Sequence, residues 1–215
     1  MGHGEVSTDF KAKYGLAAEP IVTFAELLEV QGPFVRLDTG KPPSLDEVQE
    51  ELSLIVLIPT VPEDVRRTFG LAKRLHLFGW IEYGLFTVSE HYSFLALEAA
   101  VYSRWTKTLP NPVRVQVKSD PPFDVISPTH YKLFEIWKSC ERKLKVEGEP
   151  FPNTVEKVIG RLQAEGIITA DERVRMSAAM ELRNSLSHLE FAQVFSPGDC
   201  SLWLVAEFIN SMFDR

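Results

Sequence analysis

Cysteine is scarce in this chain. There are only two, Cys140 and Cys200, far apart in sequence. That argues against a disulfide-stapled scaffold and for two buried thiols in a reducing compartment. Long apolar runs are also missing; none approaches the roughly 20 residues that a membrane-spanning helix needs. The opening Met1-Gly2-His3-Gly4-Glu5 has neither the apolar core nor the basic leader of a secretory signal, and Val6 stands where a myristoylation site wants Ser or Thr. The expectation is a cytoplasmic protein without a membrane partner. Positive charge is not in excess either: Lys and Arg total 23 against 30 Asp and Glu, a formal net charge of −7. This argues against the broad basic face that coats duplex nucleic acid, but leaves room for a small, locally basic site. No Gly-rich phosphate loop, Gly-x-Ser-x-Gly elbow or His-Glu-x-x-His motif occurs. His76 and His91 lack Cys or acidic companions at ligand spacing. Neither a cofactor nor a metal is expected.

Apolar content is ample, at 45% of 215 residues, enough for one soluble domain with an appendage or for two small ones. Residues 1 to about 43 are punctuated by Gly15, Pro20, Gly32-Pro33, Gly40 and Pro42-Pro43 and read as irregular. Within them, Ile21 to Val30 suits strand and helix equally. Ser44-Leu45-Asp46-Glu47 is a capping box and predicts a helix to about Leu57, stopped by Pro59 and Pro62. From Glu63 to about Thr108 there is no proline, and apolar residues recur at threes and fours. Gly79 and Gly84 mark the place for a kink or break in that tract. Val113–Val117 alternates like a short strand. Four further helices are predicted: Pro128 to about Val146, Thr154–Glu165, Asp171 to about Phe191 behind a second capping box (Thr169-Ala170-Asp171-Glu172), and a last one from near Ser196-Pro197 running through Leu202–Phe213. With strands so scarce, the expected class is an all-α helical bundle over residues 62–215, preceded by an extension over 1–61 whose role the sequence leaves open.

The third of those helices carries Arg183-Asn184-Ser185-Leu186-Ser187-His188. Arginine presents a charged fork that matches phosphate, and histidine moves protons near neutral pH. Four residues apart, Asn184 and His188 share a helix face, whereas Arg183 and His188 are about 140° apart on an ideal helix. A single copy therefore does not make a tight Arg–His pair. Two copies packed about a two-fold axis would gather both sets around one cleft, and isologous dimers are the commonest homo-oligomers. In a chain of this composition an Arg-x4-His match arises by accident about 0.3 times; requiring Asn directly after the arginine lowers this to about 0.005.

This motif resembles the signature of HEPN-domain proteins, and the tract from Phe86 to Trp105, with Ser89-Glu90 and Ala96-Leu97-Glu98-Ala99-Ala100, is similar to an early helix of that family. The resemblance spans roughly residues 63–215. It implies a dimeric helical bundle and a metal-independent endoribonuclease, of the kind often found in antiphage defence or toxin–antitoxin systems, with RNA as substrate and an antitoxin or other protein as a further partner. It implies that Arg183 and His188 form a catalytic site across the dimer, with Asn184 in the polar position after the arginine. RNA can be cut without metal because its own 2′-hydroxyl attacks the phosphorus. The protein then needs only proton transfer, suited to His188, and stabilisation of the non-bridging oxygens, suited to Arg183. Asn184 would orient the histidine or the phosphate.

Each residue also has an ordinary reading. Arg183 can be a helix arginine paired with Glu181, Glu190 or another helix; His188 can face a helix C-terminal dipole; Asn184 can be plain surface. The rival functions are a HEPN-like module that binds without turnover, and a helical interaction domain whose activity resides in the first 60 residues. Around the motif, Lys132, Lys138, Arg142, Lys143 and Lys145 make a basic stretch that suits RNA guidance or a solvated face. Arg173 and Arg175 are placed to widen a positive patch. Tyr102 and Trp105 read as core. Buried carboxylates are rarely unpaired, which makes Glu98, in an apolar tract, a candidate partner for an arginine such as Arg183.

Overall fold

A computed structural model describes residues 44–82, 84–118, 120–187 and 200–214. Among them are seven helices and four short strands: α1 (Leu45–Leu54), α2 (Glu63–Gly79), α3 (Gly84–Thr108), β1 (Val113–Val117), β2 (Phe123–Val125), α4 (His130–Ser139), β3 (Leu144–Val146), β4 (Glu149–Pro150), α5 (Val155–Ala164), α6 (Ala170–Ser187) and α7 (Cys200–Phe213). None of these helices is long and apolar enough to cross a membrane. The molecule is mostly helical, as expected, but not all-α. The strands form one antiparallel sheet in the order β2-β1-β3-β4.

α3 is the axis of the core. It packs against α2, α5, α6 and α7, and contributes Phe94, Leu97, Val101 and Trp105, all buried. The proline-free tract breaks between α2 and α3. Gly79 is there for space: a Cβ on it would lie 2.6 Å from the buried ring of Phe86. Ser89 then donates to the carbonyl of Ala72 at 2.8 Å, tying the two helices together.

Both capping boxes form. The Ser44 backbone donates to Glu47 Oε2 at 2.7 Å and Glu47 N donates back to Ser44 Oγ at 3.2 Å. Thr169 and Glu172 repeat the exchange at 2.7 and 3.1 Å. Each box satisfies two backbone donors that a helix start leaves open. α1 ends at Leu54, short of the expected Leu57, because Ile55 turns extended and is itself buried. The described part of the expected extension does not stand apart. Val48, Leu52, Ile55 and Val61 join the main core, and Asn210 on α7 clasps Ile58 N and the Val56 carbonyl at 3.0 and 2.9 Å. Ile21–Val30 lies outside the described residues.

The helix expected from Pro128 to Val146 is a correction. α4 runs only from His130 to Ser139, begun by Thr129, whose hydroxyl accepts from Lys132 N at 3.2 Å. Glu141 and Arg142 then adopt left-handed backbone, φ 54° and 64°, and the chain returns as β3. Leu144 and Val146 are buried while Lys145 is exposed, and β3 pairs with β1 through Val115↔Val146 and Val117↔Leu144. Burying two alternate apolar residues against β1 outweighs the weak helix tendency of this polar stretch.

His76 on α2 is 3% exposed, edge-on to Phe86 at 4.9 Å. Burial pulls its pKa from 6.5 to about 4. The folded state therefore favours neutral imidazole. This contribution is complete above pH 6.5 and is lost as pH falls from there through about 4. Burial raises the carboxyl of Glu90, which acts in the opposite sense. The wild type should therefore be compared with His76→Leu. Between pH 7 and pH 4.5 the wild type should lose roughly 2 kcal/mol more than the variant, measured by urea midpoints. Parallel losses would rule out His76 as the source.

Candidate functional site

The motif helix α6 lies against α3, and that contact assembles the site. Arg183 Nη2 forms an ion pair with Glu98 Oε2, and Nη1 donates to Asn184 Oδ1 at 3.0 Å. The other oxygen of Glu98 accepts from the Tyr102 hydroxyl at 3.3 Å. Side-chain exposure is 25% for Arg183 and 19% for Glu98, so the pair is shielded but not sealed. Of the readings open for Arg183, pairing with another helix is realised, and the partner is the carboxylate singled out for it. An ion pair this sheltered is screened less than a surface pair and holds the guanidinium in one orientation.

His91 belongs to the same neighbourhood. It stands seven residues before Glu98, two turns along α3. Burial lowers its pKa first, the Arg183 charge lowers it further, and Glu98 opposes both. Its imidazole is therefore held in the uncharged form. Its Nδ1 is buried with no hydrogen-bond partner among the described residues. Tyr102 is held protonated: burial raises its pKa, the Glu98 charge and hydrogen bond add to the rise, and Arg183 opposes it.

The ring of Tyr102 faces the other way and stacks on His130 at 3.7 Å, with 19° between the planes. His130 opens α4 and lies near the Pro152 carbonyl at 3.5 Å; burial lowers its pKa. Tyr102, His130, Tyr131, Phe134 and Asn153 line a shallow groove of about 450 Å³. Tyr102, expected as core, does pack against the core, and its half-buried ring also forms a groove wall. Trp105 is core as expected.

Two of the three catalytic candidates, Arg183 and Asn184, are therefore placed; His188 lies outside the described residues. Arg173 and Arg175 do not add free charge. Arg175 pairs with Asp171 at 2.7 Å, and Arg173 with Glu156 at 3.8 Å and Gln163 at 2.8 Å. No group of three or more His, Cys, Asp or Glu among the described residues is arranged to hold a metal ion. Sequence reasoning weighed His91 as a metal ligand alone and passed over His130. The spacing of His91, Glu98 and Tyr102, seven and then four along one helix, was the available signal, since it puts all three on one face. His130 had none, because its place comes from tertiary packing alone.

No family model matches the chain, and no curated protein or solved structure matches it. The HEPN resemblance therefore rests on the motif and the α3 tract, and the geometry above has to carry the functional reading.

Proposed function

We propose that the chain is a metal-independent endoribonuclease of HEPN type, working as a dimer through Arg183, Asn184 and His188. The observation that carries this reading is the Glu98 tether. A guanidinium clamped on one edge by a carboxylate and on another by the adjacent amide is set in place before substrate arrives, and fixed donors stabilise developing charge best. In the reaction, the 2′-hydroxyl of the RNA attacks the adjacent phosphorus and the P–O5′ bond breaks. Arg183 stabilises charge on the non-bridging oxygens. His188 takes the 2′-hydroxyl proton or supplies one to the 5′-oxygen, and a second histidine of the dimer fills the complementary role. Asn184 orients the phosphate, and Glu98 acts as a positioning residue. The products carry a 2′,3′-cyclic phosphate and a free 5′-hydroxyl.

One observation favours a second reading, a HEPN-like module that binds without turnover. Glu98 neutralises much of the Arg183 charge within a single chain, which reduces its pull on a phosphate. A cleavage assay separates the two. Purified protein should cut single-stranded RNA in excess EDTA and leave cyclic-phosphate ends. His188→Ala should lower the rate by about 100-fold or more while the protein still sediments as a dimer. A dimer with no turnover on any RNA would select the binding module. Cleavage unaffected by His188→Ala would remove the mechanism.

A further inference from the structure

Although the chain is acidic overall, its charge is unevenly placed. A groove of about 540 Å³ is walled by Lys118, Arg142, Lys143, Lys145 and Lys157, and among the described residues no carboxylate lines it. Its apolar floor is Trp137 and Phe151, whose ring centres are 6.1 Å apart. Five cations around planar rings, in a molecule of net charge −7, is a local inversion of the global balance.

The backbone builds this groove deliberately. After α4 the two left-handed residues Glu141 and Arg142 turn the chain back, with Arg142 N donating to the Trp137 carbonyl at 3.0 Å. Left-handed backbone is costly for residues with a Cβ, and such strain concentrates where a side chain must be aimed. Here it sets the Arg142 guanidinium over the Trp137 ring, 5.5 Å from its centre. Strand alternation does the rest. With Leu144 and Val146 turned inward, Lys143 and Lys145 share the open face. Lys118 N bonds the Lys143 carbonyl at 3.2 Å and brings a third lysine alongside. Among the described residues, Lys118 is the one cation of the groove with an acidic partner, Glu141 at 2.7 Å, itself exposed. Lys157 reaches in from the first turn of α5, its Nζ 2.7 Å from Asn153 Oδ1.

We propose that this groove binds single-stranded nucleic acid, seating successive phosphates on Lys143, Lys145 and Lys157 and stacking a base on the Arg142 guanidinium that the Trp137 ring backs. Planar rings beside a line of cations are how proteins hold unpaired strands, because every base offers a flat face and every nucleotide a charge. A duplex hides its faces, and an acidic peptide has none to stack. Asn153 is shared with the Tyr102–His130 groove, and Tyr102 in turn bonds Glu98, the carboxylate that holds Arg183. Residue by residue, the basic groove thus leads toward the motif. Its use as a substrate track rests on the ribonuclease reading, which also specifies the strand as RNA.

The test is fluorescence anisotropy with end-labelled oligouridine of about 12 nucleotides, in the full chain carrying Arg183→Ala so that the strand stays whole. Binding should weaken steeply between roughly 50 and 200 mM salt. Lys143→Glu with Lys145→Glu should weaken it at least about tenfold, and Trp137→Ala by about tenfold, with circular dichroism unchanged. Absence of binding, indifference to the charge reversals, a duplex binding as tightly, or displacement by polyglutamate at equal charge would each overturn the proposal. Binding that meets these expectations in a wild-type protein that never cuts RNA would leave the groove standing and remove the ribonuclease reading alone.

Discussion

Arg183→Ala is expected to lower the rate of RNA cleavage by about 100- to 1,000-fold, the usual cost of deleting one donor that meets charge developing in a transition state. The substitution also leaves Glu98 with only the Tyr102 hydroxyl among the partners described above, so some stability goes with it, about 1–3 kcal/mol. Arg183→Lys keeps the charge and loses the fork that contacts Glu98 and Asn184 together. If fixed geometry matters, lysine restores stability better than it restores rate. The Glu98 variants complete the series. Glu98→Gln keeps one oxygen for Arg183 and turns the amide NH2 toward the Tyr102 hydroxyl oxygen, which can accept from it, so it should keep most of the activity, whereas Glu98→Ala frees the guanidinium and should lower the rate about tenfold through lost orientation. Wild-type rates in Arg183→Ala would assign that residue to helix packing and nothing more. A faster Glu98→Ala enzyme would show that the carboxylate restrains Arg183 rather than positioning it.

Trp105→Ala is expected to cost about 3–5 kcal/mol, a large share of the roughly 5–15 kcal/mol that holds a folded domain together. Trp105 has no solvent exposure. Its ring lies 5.9 Å from His130 and 6.0 Å from Phe151, so one side chain joins α3 to the start of α4 and to the segment after β4. Removing it opens a cavity between layers that cannot close without moving a helix. Its indole Nε1 has no hydrogen-bond partner among the described residues, so Trp105→Phe forfeits volume but no bond, and should cost less than about 1.5 kcal/mol. Urea denaturation followed by circular dichroism measures both. Similar losses for the two variants would mean that the contact is polar in origin, contrary to the packing.

The Arg183 series also bears on how site and scaffold share α3. That helix supplies Glu98 and Tyr102 to the site and Leu97, Val101 and Trp105 to the core, residues interleaved on neighbouring faces of the same turns. The carboxylate is therefore anchored by a helix that packs against four others, and the guanidinium inherits that rigidity through one ion pair.

Helix starts were legible from the chain itself, because a capping box is a local exchange between residues three apart. Ser44–Glu47 and Thr169–Glu172 needed nothing else. The break at Gly79, the end of α5 near Gly166 and the candidate motif with its acidic partner Glu98 were legible for the same kind of reason, resting on short-range chemistry or on the rule that a carboxylate in an apolar stretch requires a cation. Tertiary structure decided the rest. β3 and β4 are too short to show a period, and exist because β1 offers an edge to Leu144 and Val146. The placing of residues 44–61 in the main core depends on Asn210, some 150 residues away. The basic groove and the Tyr102–His130 stack gather residues from α3, α4, β3 and α5 that no spacing relates. Local signals are written in neighbouring residues; a groove or a core is an agreement between distant ones, and only the packed chain brings those together.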